Sequence, residues 1–222
     1  MGFHPAGGWT RGPRDRTVAG MDGNGREMVD VAFGLTATML PADYEWPLFR
    51  AVAGVVPWIS EVEQAGIHPL RGTRNAEGDL LLAQRAKLVV RMPRERVCAA
   101  SALEGTVLDL GGVTVRVGQG NFKRLGPSST LYSPRVVTGD DDEAPFAARL
   151  TGELARLGIA RPFVCGRRAM VRLPEGPATA FSVAVHGLGD AASLLLQSAG
   201  LGRGRAIGCG LFVPHKVIEA IA

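Results

Sequence analysis

The sequence predicts an α+β fold: two tandem ferredoxin-like (RRM-like) halves, each read as β-α-β-β-α-β, with a glycine-rich loop near the C-terminal end. Three observations predict it. Strand-like and helix-like segments follow that order once over residues 29–122 and again over 123–222. The length of 222 residues gives room for two small domains, and a 46% hydrophobic, 21% charged composition is ordinary for packed chains. Glycine, 30 residues in all, is concentrated in GLGRGRAIGCG at 200–210. This composition excludes a disordered chain or a fibre.

In the first half, residues 1–28 form a polar lead-in rich in Gly, Pro and Arg, with Met21 and Met28 as candidate starts. VDVAFGLTAT (29–38) alternates as a strand does. A helix follows with Asp43 as its cap and Phe49, Val52, Ala53 and Val56 on one face. Pro47 lies in its first turn, where a missing N–H costs little, and Pro57 stops it. Residues 58–79 are polar and glycine-bearing, long enough to suggest a functional loop. LLLA (80–83) and RAKLVVRMP (85–93) read as strands, RERVCAASAL as a short helix, and TVLDLGGVTVRVG as a strand or hairpin.

In the second half, TLYSPRVVT (130–138) is a strand, and the acidic run Asp140–Glu143 suits a helix N-terminus. Phe146, Leu150, Leu154 and Leu157 recur at helical spacing up to Gly158. RPFVCGRRAMVRL (161–173) is extended with a bend at Gly166, and AFSVAVHGL (180–188) alternates. Asp190 caps a short helix that ends at Gly200, and IGCGLFVPHK (207–216) closes as a last strand.

Cys98, Cys165 and Cys209 lie far apart, without the spacing of a disulfide framework or a zinc ribbon, which fits a reducing, cytoplasmic setting. No apolar run approaches the roughly 20 residues that span a bilayer, and no secretory leader is visible. Net charge is +4, carried almost wholly by arginine, with lysine only at 87, 123 and 216. That balance permits an anionic partner without demanding one. It also hides two basic stretches: residues 71–135 hold eleven Arg/Lys against five Asp/Glu, and residues 161–216 hold seven against two.

Clustered glycines allow positive φ and close backbone approach, and a run of backbone N–H groups with Arg203 and Arg205 suits phosphate. A dinucleotide fingerprint is also present in outline, since Gly187, Gly189 and Ala192 form G-x-G-x-x-A after a strand. Only about thirty residues follow it, too few for the parallel sheet and the later acidic residue that such a cofactor needs. No cofactor is therefore expected.

The spacing G-x-G-x5-G-x-G at Gly200, Gly202, Gly208 and Gly210 resembles the C-terminal glycine-rich loop of the RAMP superfamily. With VDVAFGLTATMLPADYEWPL, AGIHPLRG and the ending GCGLFVPHK, the chain is similar to the Myxococcus-type subgroup of CRISPR-associated endoribonucleases, which process precursor CRISPR RNA. The resemblance covers residues 28–220 and implies tandem ferredoxin-like halves. It implies metal-independent cleavage, in which a ribose 2′-hydroxyl attacks the adjacent phosphate. A general base, an acid and cations are needed for that step.

The resemblance places the catalytic histidine in the loop after the first helix, where His68 stands, and His68 suits such work because its ordinary pKa lies near neutrality. Relatives pair that histidine with a tyrosine and a lysine. Here Tyr44 is the only tyrosine in this half, and Arg74 would replace the missing lysine. Arg71 and Arg74 stand ready to neutralise phosphate. Arg85, Lys87 and Arg91 alternate along a strand toward one face. With Arg203, Arg205, His215, Lys216 and the four loop glycines they form the expected RNA-contacting set. The expected partner is CRISPR repeat RNA, with other CRISPR effector subunits as further candidates and no membrane. A non-catalytic RAMP subunit that binds guide RNA is the alternative. His186 reads as a hydrogen-bonded residue at a strand end, and FSVAV offers too few aromatics for the stacking signature of an RRM sheet.

Overall fold

The computed structural model describes residues 25–215. Its elements are β1 (Met28–Thr36), β2 (Met39–Leu40), α1 (Glu45–Val55), β3 (Gly66–Ile67), β4 (Gly72–Arg74), β5 (Leu80–Leu82), β6 (Lys87–Pro93), α2 (Val97–Ala100), β7 (Val107–Asp109) and β8 (Thr114–Arg124). They continue as β9 (Leu131–Val136), α3 (Glu143–Arg156), β10 (Phe163–Leu173), β11 (Gly176–Val185), α4 (Asp190–Ala199) and β12 (Val213–Pro214). Among the described residues, no helix is long and apolar enough to cross a membrane.

The first sheet runs β3-β6-β1-β8-β7 and the second β10-β11-β9-β12. Each has the ferredoxin-like arrangement, in which the first strand of the half lies between the third and the fourth. The expected tandem fold is present, with one element misplaced. Leu80–Leu82 does not enter the main sheet; it pairs with β2 and β4 in a separate three-stranded sheet. The second strand of the first half is instead Gly66–Ile67, paired antiparallel with Arg91 and Val90. Two residues are too few to leave a periodic signal. The ordered chain also reaches further back than expected, since β1 begins at Met28 inside the lead-in. The two sheets are joined by residues 125–130.

Val29, Val31, Phe33 and Leu35 place alternate β1 side chains against Leu48, Phe49 and Val52 of α1. Each such side chain contributes about 1.5–3 kcal/mol by leaving water. Asp43 does not cap α1; Tyr44 stands at the cap position without a side-chain bond to the helix. Asp190 likewise falls inside α4, whose cap is Gly189. In the second half, Phe146, Leu150 and Leu154 of α3 pack on Leu131, Val183 and Val185. A register shift between Cys165 and Arg168 marks the bend expected at Gly166. The far end of the β10–β11 hairpin, through Val171, Leu173, Ala178 and Ala180, joins the core of the first half.

Candidate functional site

His68 follows β3 directly, and its N–H donates to Val89 O at 2.9 Å, so the residue extends the sheet ladder. The expected loop position is corrected on this point: the backbone is fixed by pairing. Gly66 and His68 face away from α1, on the side that carries Asp30 and Arg91. There His68 Nε2 lies 3.4 Å from Asp30 Oδ1, with only 12% of the side chain exposed. Arg91 donates to both Asp30 oxygens, at 2.8 and 3.0 Å. Its Nη1 reaches Gln197 O at 2.9 Å and Phe212 O at 2.8 Å, both in the second half.

Burial works to raise the Asp30 carboxyl, but the charge and hydrogen bonds of Arg91, with the His68 ring beside it, overcome it and hold the group well below the usual carboxylate range. Burial and the neighbouring Arg91 lower the His68 pKa, against the opposing pull of Asp30. The ring is therefore neutral at pH 7. Asp30 carried no sequence signal beyond being the one charge in the alternating run VDVAFG.

Arg91 is completely buried, so its expected place on an exposed basic strand face is corrected. It lies on the same face as Lys87, but the second half covers that face at Arg91. Arg85 falls in the turn before β6 and is exposed, as is Lys87. Arg205 is also inward: Nε donates to Gln64 O at 2.7 Å and Nη2 to Ser198 O at 2.9 Å. Burial, helped by the charge of Arg91, lowers its pKa to about 9. A direct phosphate contact from Arg205 is thus replaced by a structural role.

The loop at 200–210 is likewise turned into the protein. Gly202 N–H donates to Glu153 Oε2 at 2.7 Å, Arg203 N–H to Val137 O, and Gly210 N–H to Arg135 O at 2.7 Å. Gly208 and Cys209 donate to Arg205 O and Gly204 O. These amides are committed to protein acceptors, which corrects the expected phosphate cradle of Gly202, Gly208 and Gly210, and Gly200 N–H is spent on Leu196 O. The glycines serve close approach instead. At Gly208, with φ +87°, a Cβ would stand 2.8 Å from Ile67 O, one residue before His68.

A cleft of about 1050 Å³ opens between the halves, lined by Tyr44, Glu45, Arg74, Tyr132, Arg135 and Arg167 among others. Tyr44 is buried at its floor, and its hydroxyl accepts the Leu70 N–H at 3.0 Å. Burial and the adjacent Glu45 push its phenol up to about 12. A small cavity of about 10 Å³, bordered by Tyr44, Glu45, Ile207 and His68, lies behind that floor. Arg74 is exposed, donates to the carbonyls of Ala42 and Gly78, and stands 3.6 Å from Glu45. Arg135, absent from the expected set, donates to the same Glu45 oxygen at 2.8 Å. The structure thus brings Tyr44 and Arg74 to the cleft and leaves His68 behind Tyr44 with its ring turned toward Asp30.

Arg71 is exposed. Arg203 is exposed and pairs with Glu175 at 2.9 Å. His215 is exposed against Tyr132, with ring centroids 5.3 Å apart. Lys216 lies outside the described residues. Among the described residues no group of three or more His, Cys, Asp or Glu is placed to hold a metal ion.

Two ferredoxin-like halves in tandem meet at a cleft that carries arginines from both. The Cas6 CRISPR family matches residues 29–217. The CRISPR-associated endonuclease Cas6 of Myxococcus xanthus is 32% identical over 194 residues, covering 86% of this chain and 84% of that protein. The chain belongs to the Cas6 family. Solved structures agree at the level of fold. A CRISPR-associated protein Cas6 matches with TM-score 0.59 and 14% identity over 86% of this chain and 100% of the other. A Cas6-related protein of Pyrococcus furiosus matches with TM-score 0.55 and 13% identity over 86% and 99%. The CRISPR endoribonuclease Cse3 bound to a 19-nucleotide RNA matches with TM-score 0.51 and 15% identity over 84% and 96%.

Proposed function

We propose that this protein is a cytoplasmic endoribonuclease that cuts precursor CRISPR RNA within its repeats to give guide RNAs. The endonuclease name of its Myxococcus xanthus relative supports the activity. The reaction needs no metal. The ribose 2′-oxygen loses its proton to a base and bonds to the adjacent phosphorus. The bond from phosphorus to the 5′-oxygen then breaks, an acid protonates that oxygen, and the products carry a 2′,3′-cyclic phosphate and a 5′-hydroxyl.

The observation that carries this reading is the state of His68. A neutral imidazole at pH 7, with Asp30 to stabilise it once protonated, has the properties of a general base. Tyr44 keeps its proton at neutral pH and already accepts from Leu70, so its own hydrogen is left to donate. Arg74, at the cleft edge, supplies positive charge for the phosphorane. RNA contact falls to Arg71, Lys87, Arg167 and His215, which are exposed.

One observation favours the second reading, a non-catalytic RNA-binding subunit of a CRISPR effector complex. The His68 ring faces Asp30 and Arg91 and is nearly closed to solvent. Repeat RNA incubated with the protein in excess EDTA separates the two. Cleavage of the all-ribose strand, none of a strand with one 2′-deoxy nucleotide at the cut, and loss in a folded His68→Asn variant are expected. Tight binding without cleavage across several repeats selects the binding subunit.

A further inference from the structure

We infer that the open face of the second sheet, at its β12 end, is a stacking platform for unpaired RNA bases, built on Tyr132 and His215. The proposal rests on the RNA-binding reading above but not on cleavage.

The strand register determines which side chains share this face. Tyr132 pairs with Ala184 on one side and with Val213 on the other, and Ala184 pairs with Val164. These four residues form one row across all four strands. At the strand spacing of about 4.8 Å the row spans roughly 14 Å. The next row is His186, Thr130 and His215. His186 Nδ1 lies 3.3 Å from Thr130 Oγ1, and the His215 N–H donates to Thr130 O at 3.0 Å. Leu131, Val183 and Val185, the alternate residues, point into the core under α3, so both rows point away from it.

On this side of the sheet Val164 and His215 are exposed, Tyr132 and His186 are partly buried, and Thr130 is buried. The Tyr132 and His215 rings lie 5.3 Å apart at 37°, which leaves ring surface for a third aromatic plane. Val164 is 58% exposed beside them. Arg167, also exposed, sits at the β10 bend and lines the cleft with Tyr132. Neither row contains a carboxylate. Aromatic planes beside guanidinium and imidazole groups recognise a ligand that carries both bases and phosphates. The exposed His215 imidazole can bond to 2′-hydroxyls or base edges. The shortage of aromatics in FSVAV concealed this face, because its rings come from β9 and from the residue after β12.

The test uses the full-length chain and a fluorescein-labelled, unstructured 12-nucleotide RNA, with binding followed by anisotropy. Tyr132→Ala and His215→Ala are each expected to weaken binding about tenfold, the usual cost of losing one stacked base. Tyr132→Phe should retain the wild-type affinity. The same RNA with its central bases removed should bind the wild type about as weakly as it binds Tyr132→Ala. Unchanged affinity in both alanine variants, with circular dichroism intact, overturns the platform. So does a shift in sedimentation of Tyr132→Ala without a change in RNA affinity, which would make the face a contact between two copies. If ring-dependent binding persists in a protein that cuts no repeat, the nuclease reading fails and the platform stands. If repeats are cut while the alanine variants bind normally, only the platform fails.

Discussion

The open face of the first sheet is closed over: Asp30, His68 and Arg91 lie beneath Gln197 and Phe212, with Gly66 against the Arg205 carbonyl. The equivalent face of the second sheet carries Tyr132, His186 and His215 in rows that leave His215 and Val164 exposed. The halves also differ in build. The second has a ten-residue α4 and long β10 and β11, whereas the first has a two-residue β3 and a four-residue α2. The short β3 lets the glycine-rich loop approach closely, and the small residues at Gly66 and Gly208 make that approach possible. One fold, used twice, therefore gives one face closed by the join between the halves and one that is closed at the β10–β11 hairpin and partly open at its β12 end.

The sharpest way to break this contrast is at Arg91. Arg91→Leu strands the Asp30 carboxylate and two carbonyls, and is expected to cost about 3–5 kcal/mol, read from the urea midpoint. Adding Asp30→Leu should restore part of it. A cost under about 1 kcal/mol would mean that the face is not closed.

Two glycine substitutions come next. Gly208→Ala meets Ile67 O at 2.8 Å with φ +87° and should cost about 1–3 kcal/mol. Gly152→Ala, in α3 with open space around it, should instead stabilise by up to about 1 kcal/mol.

The third effect is pH dependence. The folded His68 ring resists a proton that the unfolded chain accepts below its ordinary 6.5, so stability falls as pH drops through that value. Asp30, depressed from 3.8, adds stability above that pH and loses it in acid, in the same sense. His68→Asn should flatten the upper part of the profile and leave the lower part in place, measured by thermal melts from pH 8 to 4.

The smallest effect is on salt dependence. Arg167→Ala, on the open face, should lower the slope of log affinity against log salt for single-stranded RNA by about 0.7, as one lost phosphate contact would. No change in slope would place the RNA elsewhere.

Much of the architecture was legible because long strands and α3 leave strong periodic signals, as Phe146, Leu150 and Leu154 do. The strand at Gly66–Ile67 was not legible, and LLLA took its place, because burial of a two-residue strand is a tertiary property. In the site, His68, Tyr44 and Arg74 stood out by residue type and by resemblance, and Tyr44 and Arg74 do meet at the cleft. Arg91 and Arg205 misled because a sequence does not distinguish a guanidinium bound to backbone carbonyls from one held in water. Asp30 and Arg135 were passed over because each is defined by its partner, Arg91 in one case and Glu45 in the other. The glycines were read as a cradle for an anion, yet their amides serve the fold itself.

The acceptors of Arg91 Nη1 lie 106 and 121 residues further along the chain. During synthesis the first half therefore leaves the ribosome with a cation whose last partners have not yet been made. It can collapse around α1, but it cannot close its open face until Phe212 emerges. Chains cut short before that residue should accumulate as loosely folded species open to proteases, and completion of the C-terminal end becomes the step that satisfies Arg91 and closes this face.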